Sequence, residues 1–482
     1  MKRILDRSGP AARLRLTAAA RPELSAFMDR WSALGTTQRL ALSGTIWTLT
    51  AFGGAQLLRF AGSLVTTRLL FPELFGLMAI VQSVLMAIAM FSDVGLSDNV
   101  VRGDRGDDRK FLANVFAVQA MRGVALWLVC VAAAPFVASF YGDARIAWVL
   151  PVTGLSATIA GFQSTSVMLM RKRMEVRRLA LLELMAQAIG LAVVILWALA
   201  DPSIWALVAG GLSSSIAKVA GSHVLNCPNR DRFGFDRAVL RELFSWGRWI
   251  FISTMFTFLA GQTDRLILGK LFSLDFLGIY NIAFMLSDVP RAIMIALSSR
   301  VILPTFAMSK HLPRVEAREK IRSRRRWLLA FAALALGSLV GAGDVLVVVL
   351  YDPRWSDAGW ILQILAIGVW PLILAWSMDP MLFVLGKVHY PALGNALRFV
   401  LLCLLSVTGA WLGGEVGAVV GVAVSVLPVL VVSKIGLWRE GYAYVRQDLI
   451  GTGLFVATAA LTYGACELIK SYSASQPLGI AG

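Results

Sequence analysis

Residues 256–280 read FTFLAGQTDRLILGKLFSLDFLGIY. An apolar run holding an acid and a base side by side, Asp264 and Arg265, breaks at a short polar joint near 273–275 and resumes as a second apolar run. The arrangement has an echo about 201 residues earlier, where LFPELFGLMAI (70–80) resembles LFSLDFLGIYNI (271–282). The match carries a one-residue offset, Phe75-Gly76 against Leu277-Gly278. Each copy follows a run that starts on one side and opens a run that returns from the other, so the halves share an orientation. That pattern is a parallel repeat about an axis along the membrane normal. The alternative is that Phe and small residues independently favour short hairpins.

Outward from this stretch, the whole chain has the composition of a membrane protein. Of its 482 residues 57% are hydrophobic and 16% are charged, against roughly a quarter charged in ordinary globular domains. A hydrocarbon core about 30 Å thick takes roughly 20 apolar residues of helix to cross. Thirteen segments qualify: 43–66, 75–97, 112–139, 147–169, 179–199, 203–222, 246–270, 276–302, 327–350, 358–385, 391–411, 415–436 and 450–469. Continuous apolar runs such as 193–199 and 346–350 argue for helices, because a membrane barrel alternates polar and apolar residues. The expected fold is an all-α polytopic membrane protein.

With the N-terminus inside, the inner segments hold 32 basic residues and the outer segments 4. Lys and Arg accumulate in cytoplasmic loops, so the net charge of +17 is a topology signal and not a nucleic-acid footprint. The organisation expected is a basic cytoplasmic extension (1–42), a first half with spans one to six (43–222), a cytoplasmic linker (223–245), a second half with spans seven to twelve (246–436), and an extra span with a tail (437–482). KIRSRRRW (320–327) reads as a positively charged amphipathic face at the membrane surface. Cys130, Cys227, Cys403 and Cys466 are scattered, as are His223, His311 and His389, and suggest neither a disulfide framework nor a metal site.

Ionisable residues deep in a span face a partner or a water-filled cavity. At 1.5 Å per residue, Arg59 lies about 24 Å along span one, Arg122 about 15 Å along span three and Arg265 about 28 Å along span seven. Lys218, Arg248, Lys270, Arg300, Arg398 and Lys434 are near enough to an end to snorkel. Five aspartates join them: Asp93, Asp264, Asp288, Asp344 and Asp379. Asp288 and Arg291, three apart, can meet on one helix face. Asp264 and Arg265 cannot, since neighbours point about 100° apart, and each needs a different partner. The competing reading is a set of structural interhelical pairs, such as Arg59 with Asp93. Trp47 and Trp370 offer aromatic faces to a sugar or serve as packing residues. Pro290, Pro304, Pro371, Pro380, Pro391 and Pro428 lie in or near the ends of spans and are candidate helix breaks.

LLFPELFGLMAIVQSVLMAIAMFSDVGL (69–96), QTDRLILGKLFSLDFLGIYNIAFML (262–286) and LYDPRWSDAGWILQILAIG (350–368) together resemble the oligosaccharide flippases of the polysaccharide transport family, within the superfamily that includes multidrug antiporters and lipid II flippases. The resemblance implies two six-helix lobes around a central V-shaped cavity, opened alternately to the two sides; the thirteenth segment departs from that core as at least one extra C-terminal transmembrane helix. The implied cargo is an oligosaccharide on an undecaprenyl pyrophosphate carrier in the bacterial inner membrane. Arg59, Arg122, Arg265 and Arg291 are then the candidate substrate-binding residues, since arginine holds phosphate oxygens with two donors at once. Asp93, Asp264 and Asp288 are the candidate coupling or orienting residues. The resemblance implies no cofactor or metal, and its partners are the lipid-linked oligosaccharide, membrane lipids and the polysaccharide polymerase with its chain-length machinery.

Three other functions stay open. A lipid II flippase shares the cargo chemistry. A multidrug or cation antiporter of the same fold calls for acids to dominate the cavity. A membrane-embedded sugar polymerase or ligase calls for a sizeable outer loop, whereas every predicted outer loop is roughly ten residues or shorter.

Overall fold

The computed structural model describes residues 36–90, 96, 100, 108–173, 175–224, 231–236, 259, 261–309 and 314–475. Among them, nine helices are long and apolar enough to cross a membrane, and a tenth if Ile146–Gly161 and Ser166–Lys172, bent by 65° to one another, form one span. The continuous stretch His389–Arg439 holds spans eleven and twelve, because Gly413 and Gly414 leave helical geometry between them. Gly414 sits at φ 59°, a conformation open to glycine and costly for other residues, and so makes the hairpin turn. Thr36–Leu69 corresponds to span one, and residues 259 and 261–271 are the described part of span seven. Large apolar side chains such as Phe136, Trp148 and Leu461, at least 74% exposed, face outward from these helices. That inverted surface is what a lipid solvent selects, and the protein is a multi-pass membrane protein.

The helices pack into two lobes. In the first, span one lies on span five, five on six, three on four, and four on six. In the second, spans eight, nine and ten pack on one another, ten meets eleven and twelve, and eleven meets twelve. Span two (Pro72–Met90) packs on span eight (Leu274–Ser309) and joins the lobes. These two helices start 202 residues apart, so the sequence offset is absorbed in the joints and the repeat register of the helices is set by Gly76 and Gly278. Small residues let helices approach where lipid supplies no hydrophobic drive between them. Gly409 and Gly417 serve spans eleven and twelve in the same way, each backbone lying against the other.

One end of the bundle carries the short turns after spans one, three, five, seven, nine and eleven, here called the short-turn face; the opposite end is the basic face, with Arg171, Lys172 and Arg173 at one of its joints. The predicted loop 303–326 is mostly helical instead, since span eight runs to Ser309 and span nine starts at Arg314. Glu316–Lys320 and Glu319–Arg322 pairs support that charged turn-by-turn extension.

The segment 320–327 also departs from a simple surface face. Arg325 is fully buried. Its Nη2 donates to Asp448 Oδ1 at 2.6 Å and to Leu374 O at 3.3 Å, its Nε to Ser377 at 3.0 Å and its Nη1 to Gln447 at 3.3 Å. Lys434, expected to snorkel, instead pairs with the same Asp448. This cluster, helped by Trp370 stacked on Phe455 at 4.9 Å, docks the thirteenth helix, Val445–Ser475, onto spans nine, ten and twelve. Trp370 is therefore a packing residue. Asp379 is buried nearby with Oδ1 unpartnered.

Candidate functional site between the lobes

Where spans two, three, four, six, seven and eight face each other they enclose a cavity of about 650 Å³. Asp264 and Arg265 divide between its wall and the lobe behind it, because consecutive helical residues point in different directions. Asp264, 5% exposed, turns into the second lobe and accepts from Tyr280 OH at 2.6 Å. Its other oxygen has no partner. Arg265 turns to the cavity: Nε donates to Asn281 Oδ1 at 3.2 Å, Nη1 to Gln262 Oε1 at 2.7 Å, and the guanidinium lies 4.2 Å from the Phe284 ring centre. Gln262 is also 3.4 Å from Ser83 of span two, which ties this cation to the opposite lobe.

The other candidates occupy separate places. Arg122 donates to Ala89 O at 2.9 Å and lines a side cavity of about 350 Å³ in the first lobe, with Arg171, Gln119 and Gln163. The two cavities share Ala89, Leu126, Ala157 and Ala160 on their walls and so adjoin. Arg59 is exposed and has no partner among the described residues. It stands one turn before Ser63, whose hydroxyl reaches Tyr351 of the second lobe at 3.3 Å, on the face that looks across the lobes. Arg291 and Asp288 pair with each other as their spacing allows, and Arg291 also lies 5.0 Å from the Trp376 ring centre. Asp93 lies outside the described residues.

The sequence reading missed Arg398. Expected to snorkel, it instead lines a small cavity of about 70 Å³ inside the second lobe with Ser287, Asp288 and Arg291. Its Nε is buried without a hydrogen-bond partner. The signal present in the sequence was its position two turns past Pro391; its nearness to the helix end made it read as a snorkelling charge. Three arginines and two aspartates thus surround the junction of the second lobe with the central cavity.

The family model described as polysaccharide biosynthesis protein matches residues 65–359, well over half of the chain and across both lobes. The chain belongs to this polysaccharide biosynthesis family. Its relatives include the succinoglycan biosynthesis transport protein ExoT of Rhizobium meliloti (strain 1021), 22% identical over 385 residues that cover 75% of this chain and 76% of that protein. Among solved structures, the lipid II flippase MurJ in an inward closed conformation superposes with a TM-score of 0.68 at 10% identity, covering 89% of this chain and 100% of that one. An inward-facing multidrug transporter of the MATE family gives 0.62 at 14% identity, covering 84% and 95%. At such identity these likenesses show that the family member shares their two-lobed fold.

Proposed function

We propose that the protein flips a lipid-linked oligosaccharide from the cytoplasmic to the periplasmic leaflet by alternating access, for assembly of a surface or exported polysaccharide. The observation that supports this reading most is the central cavity wall, where Arg265 stands among Gln82, Gln262 and Asn281 and no carboxylate lines the cavity among the described residues. Among the described residues Nη2 of Arg265 has no hydrogen-bond partner, which leaves it able to meet a phosphate oxygen while the amides suit sugar hydroxyls. An apolar groove of about 610 Å³ between span one and spans eight and nine, lined by Leu57, Phe60, Leu286 and Pro290 among others, has room for a polyprenyl chain. A cation antiporter is less well served, since a cationic cargo would meet a fixed positive charge.

On this reading 43–222 and 246–436 are the moving lobes, and 437–482 travels with the second. Undecaprenyl pyrophosphate is the carrier, and Arg59, Arg122 and Arg291 stand along the path as further cations, with Asp264 and Asp288 as orienting or coupling residues, Asp288 paired with Arg291. The protein sits in the bacterial inner membrane with its N-terminus cytoplasmic and feeds a polymerase, and does no covalent chemistry of its own. Proteoliposomes loaded with a fluorescent undecaprenyl-pyrophosphate glycan test it: the label should gain access to a membrane-impermeant quencher only when protein is present. No movement of any lipid-linked glycan, together with exchange of a cationic dye, would overturn the reading.

A further inference from the structure

Two turns on the short-turn face repeat one another in sequence and geometry. Residues 141–145 read YGDAR and residues 351–355 read YDPRW, joining spans three to four and nine to ten, which correspond under the repeat. In the first, Asp143 Oδ1 accepts from Arg145 N at 2.8 Å and from its Nε at 3.0 Å. In the second, Asp352 Oδ1 accepts from Arg354 N and Nε, both at 3.0 Å. Each turn's tyrosine crosses to the other lobe, and the targets correspond as well: Tyr141 OH donates to Leu266 O of span seven at 3.2 Å, and Tyr351 OH meets Ser63 of span one at 3.3 Å.

The second turn grips harder. Span one ends at Leu69, and the carbonyls of a helix's last turn lack partners within it. Trp355 Nε1 donates to Thr67 O at 3.1 Å, and Arg354 Nη2 donates to Thr67 O at 3.3 Å and Arg68 O at 3.2 Å. Trp355 is fully buried, edge-on to Phe75 of span two at 5.2 Å. The second lobe thus caps a helix terminus of the first. From the other side, Lys270 at the end of span seven donates to Phe140 O at the end of span three. Arg145, the counterpart of Arg354, is turned to Glu73 inside its own lobe instead.

We propose that these repeat-related turns form a two-armed latch that holds the lobes together at the short-turn face, with the Arg354–Trp355 arm dominant. Opening toward that side then requires span one to lose its cap. The inference rests on the alternating-access reading, but it can fail separately.

The test is pulsed electron spin resonance on ligand-free protein in nanodiscs, with spin labels at Ala144→Cys and Ser356→Cys, exposed positions on opposite lobes, and the four native cysteines replaced by serine. Trp355→Phe removes the indole donor while keeping a ring in place, and Arg354→Gln changes an exposed side chain and carries the test even if the tryptophan variant does not accumulate. Each should raise the long-distance population roughly tenfold, the scale of one lost hydrogen bond to a helix end. Tyr141→Phe should shift it less. Distance distributions equal to the parent's in Arg354→Gln would overturn the latch. If glycan flipping proceeds while distances stay fixed, the latch alone fails; if distances shift and no lipid-linked glycan moves, the latch stands and the cargo reading fails.

Discussion

Gly76 and Gly278 lie face to face where span two crosses span eight, and each faces the carbonyl of the residue that opens the other's helix. A Cβ on Gly76 would stand 1.9 Å from Leu274 O, and one on Gly278 would stand 2.0 Å from Pro72 O. The reciprocity is that of a two-fold axis passing between them, and it makes this crossing the tightest helix contact between the two lobes that the glycines mark. Obstacles at that distance are backbone, which has little room to yield. Gly76→Ala and Gly278→Ala should each lower the thermal unfolding temperature of detergent-solubilised protein by several degrees, consistent with an overpacking cost of about 1–3 kcal/mol. Gly211, with open space around it, is the control and should tolerate alanine. Equal stability of all three variants would show that the crossing is not tightly packed.

Arg265 is fixed by Asn281, Gln262 and Phe284 and has no acidic partner among the described residues, so its removal strands no buried charge among them. Arg265→Ala should reduce flipping of lipid-linked glycan at least tenfold, about 1.4 kcal/mol, at unchanged abundance. Arg265→Lys should recover little, since a point charge cannot hold two phosphate oxygens in one plane. Loss of folded protein in Arg265→Ala, restored by apolar replacements of its neighbours, would mark a structural residue.

Asp264 and Arg398 each bury an unpartnered polar atom, and removing one of two buried opposite charges costs more than removing both. Arg398→Met and Asp264→Asn should each destabilise the protein, and the double variant should be more stable than the two single losses predict. Strict additivity of the three unfolding temperatures would show that the groups do not sense each other.

Arg354 and Arg145 hold the carboxyls of Asp352 and Asp143 below the usual aspartate range, chiefly through side-chain hydrogen bonds. A depressed folded pKa contributes stability that is complete above the ordinary value, about 3.9, and that is lost as pH falls through the lower folded value. The Ala144–Ser356 distance distribution should therefore stay constant between roughly pH 8 and 5 and broaden only below about 4. Asp352→Asn, which frees Arg354, should broaden it at neutral pH. A transition near pH 6 would mean that some other group controls the turn.

The orientation proposed from the basic residues places Lys320 inside and Ser356 outside. A membrane-impermeant maleimide added to intact cells should modify Ser356→Cys and spare Lys320→Cys. Modification of both would end the assignment.

The all-α, multi-pass class was legible in the sequence alone, because a hydrocarbon core selects helix length and hydrophobicity locally, residue by residue. The sequence also determined that Asp264 and Arg265 part company, since that follows from helix geometry alone. Which charges lie inside was decided by the tertiary structure. Arg325, Arg398 and Lys434 sit near helix ends or in basic runs, and linear position is the same for a side chain that snorkels and one that turns inward; only the neighbours at Asp448, Ser377 and Asp288 distinguish them. The register of the repeat was likewise left one residue out by sequence matching, because the joint before span eight absorbs the difference, and the close approach of Gly76 and Gly278 fixed it in space. YDPRW could be quoted as a motif, but its partners lie nearly 290 residues away at Ser63 and Thr67, a separation of 288, and no local pattern encodes a contact that exists only when two lobes close.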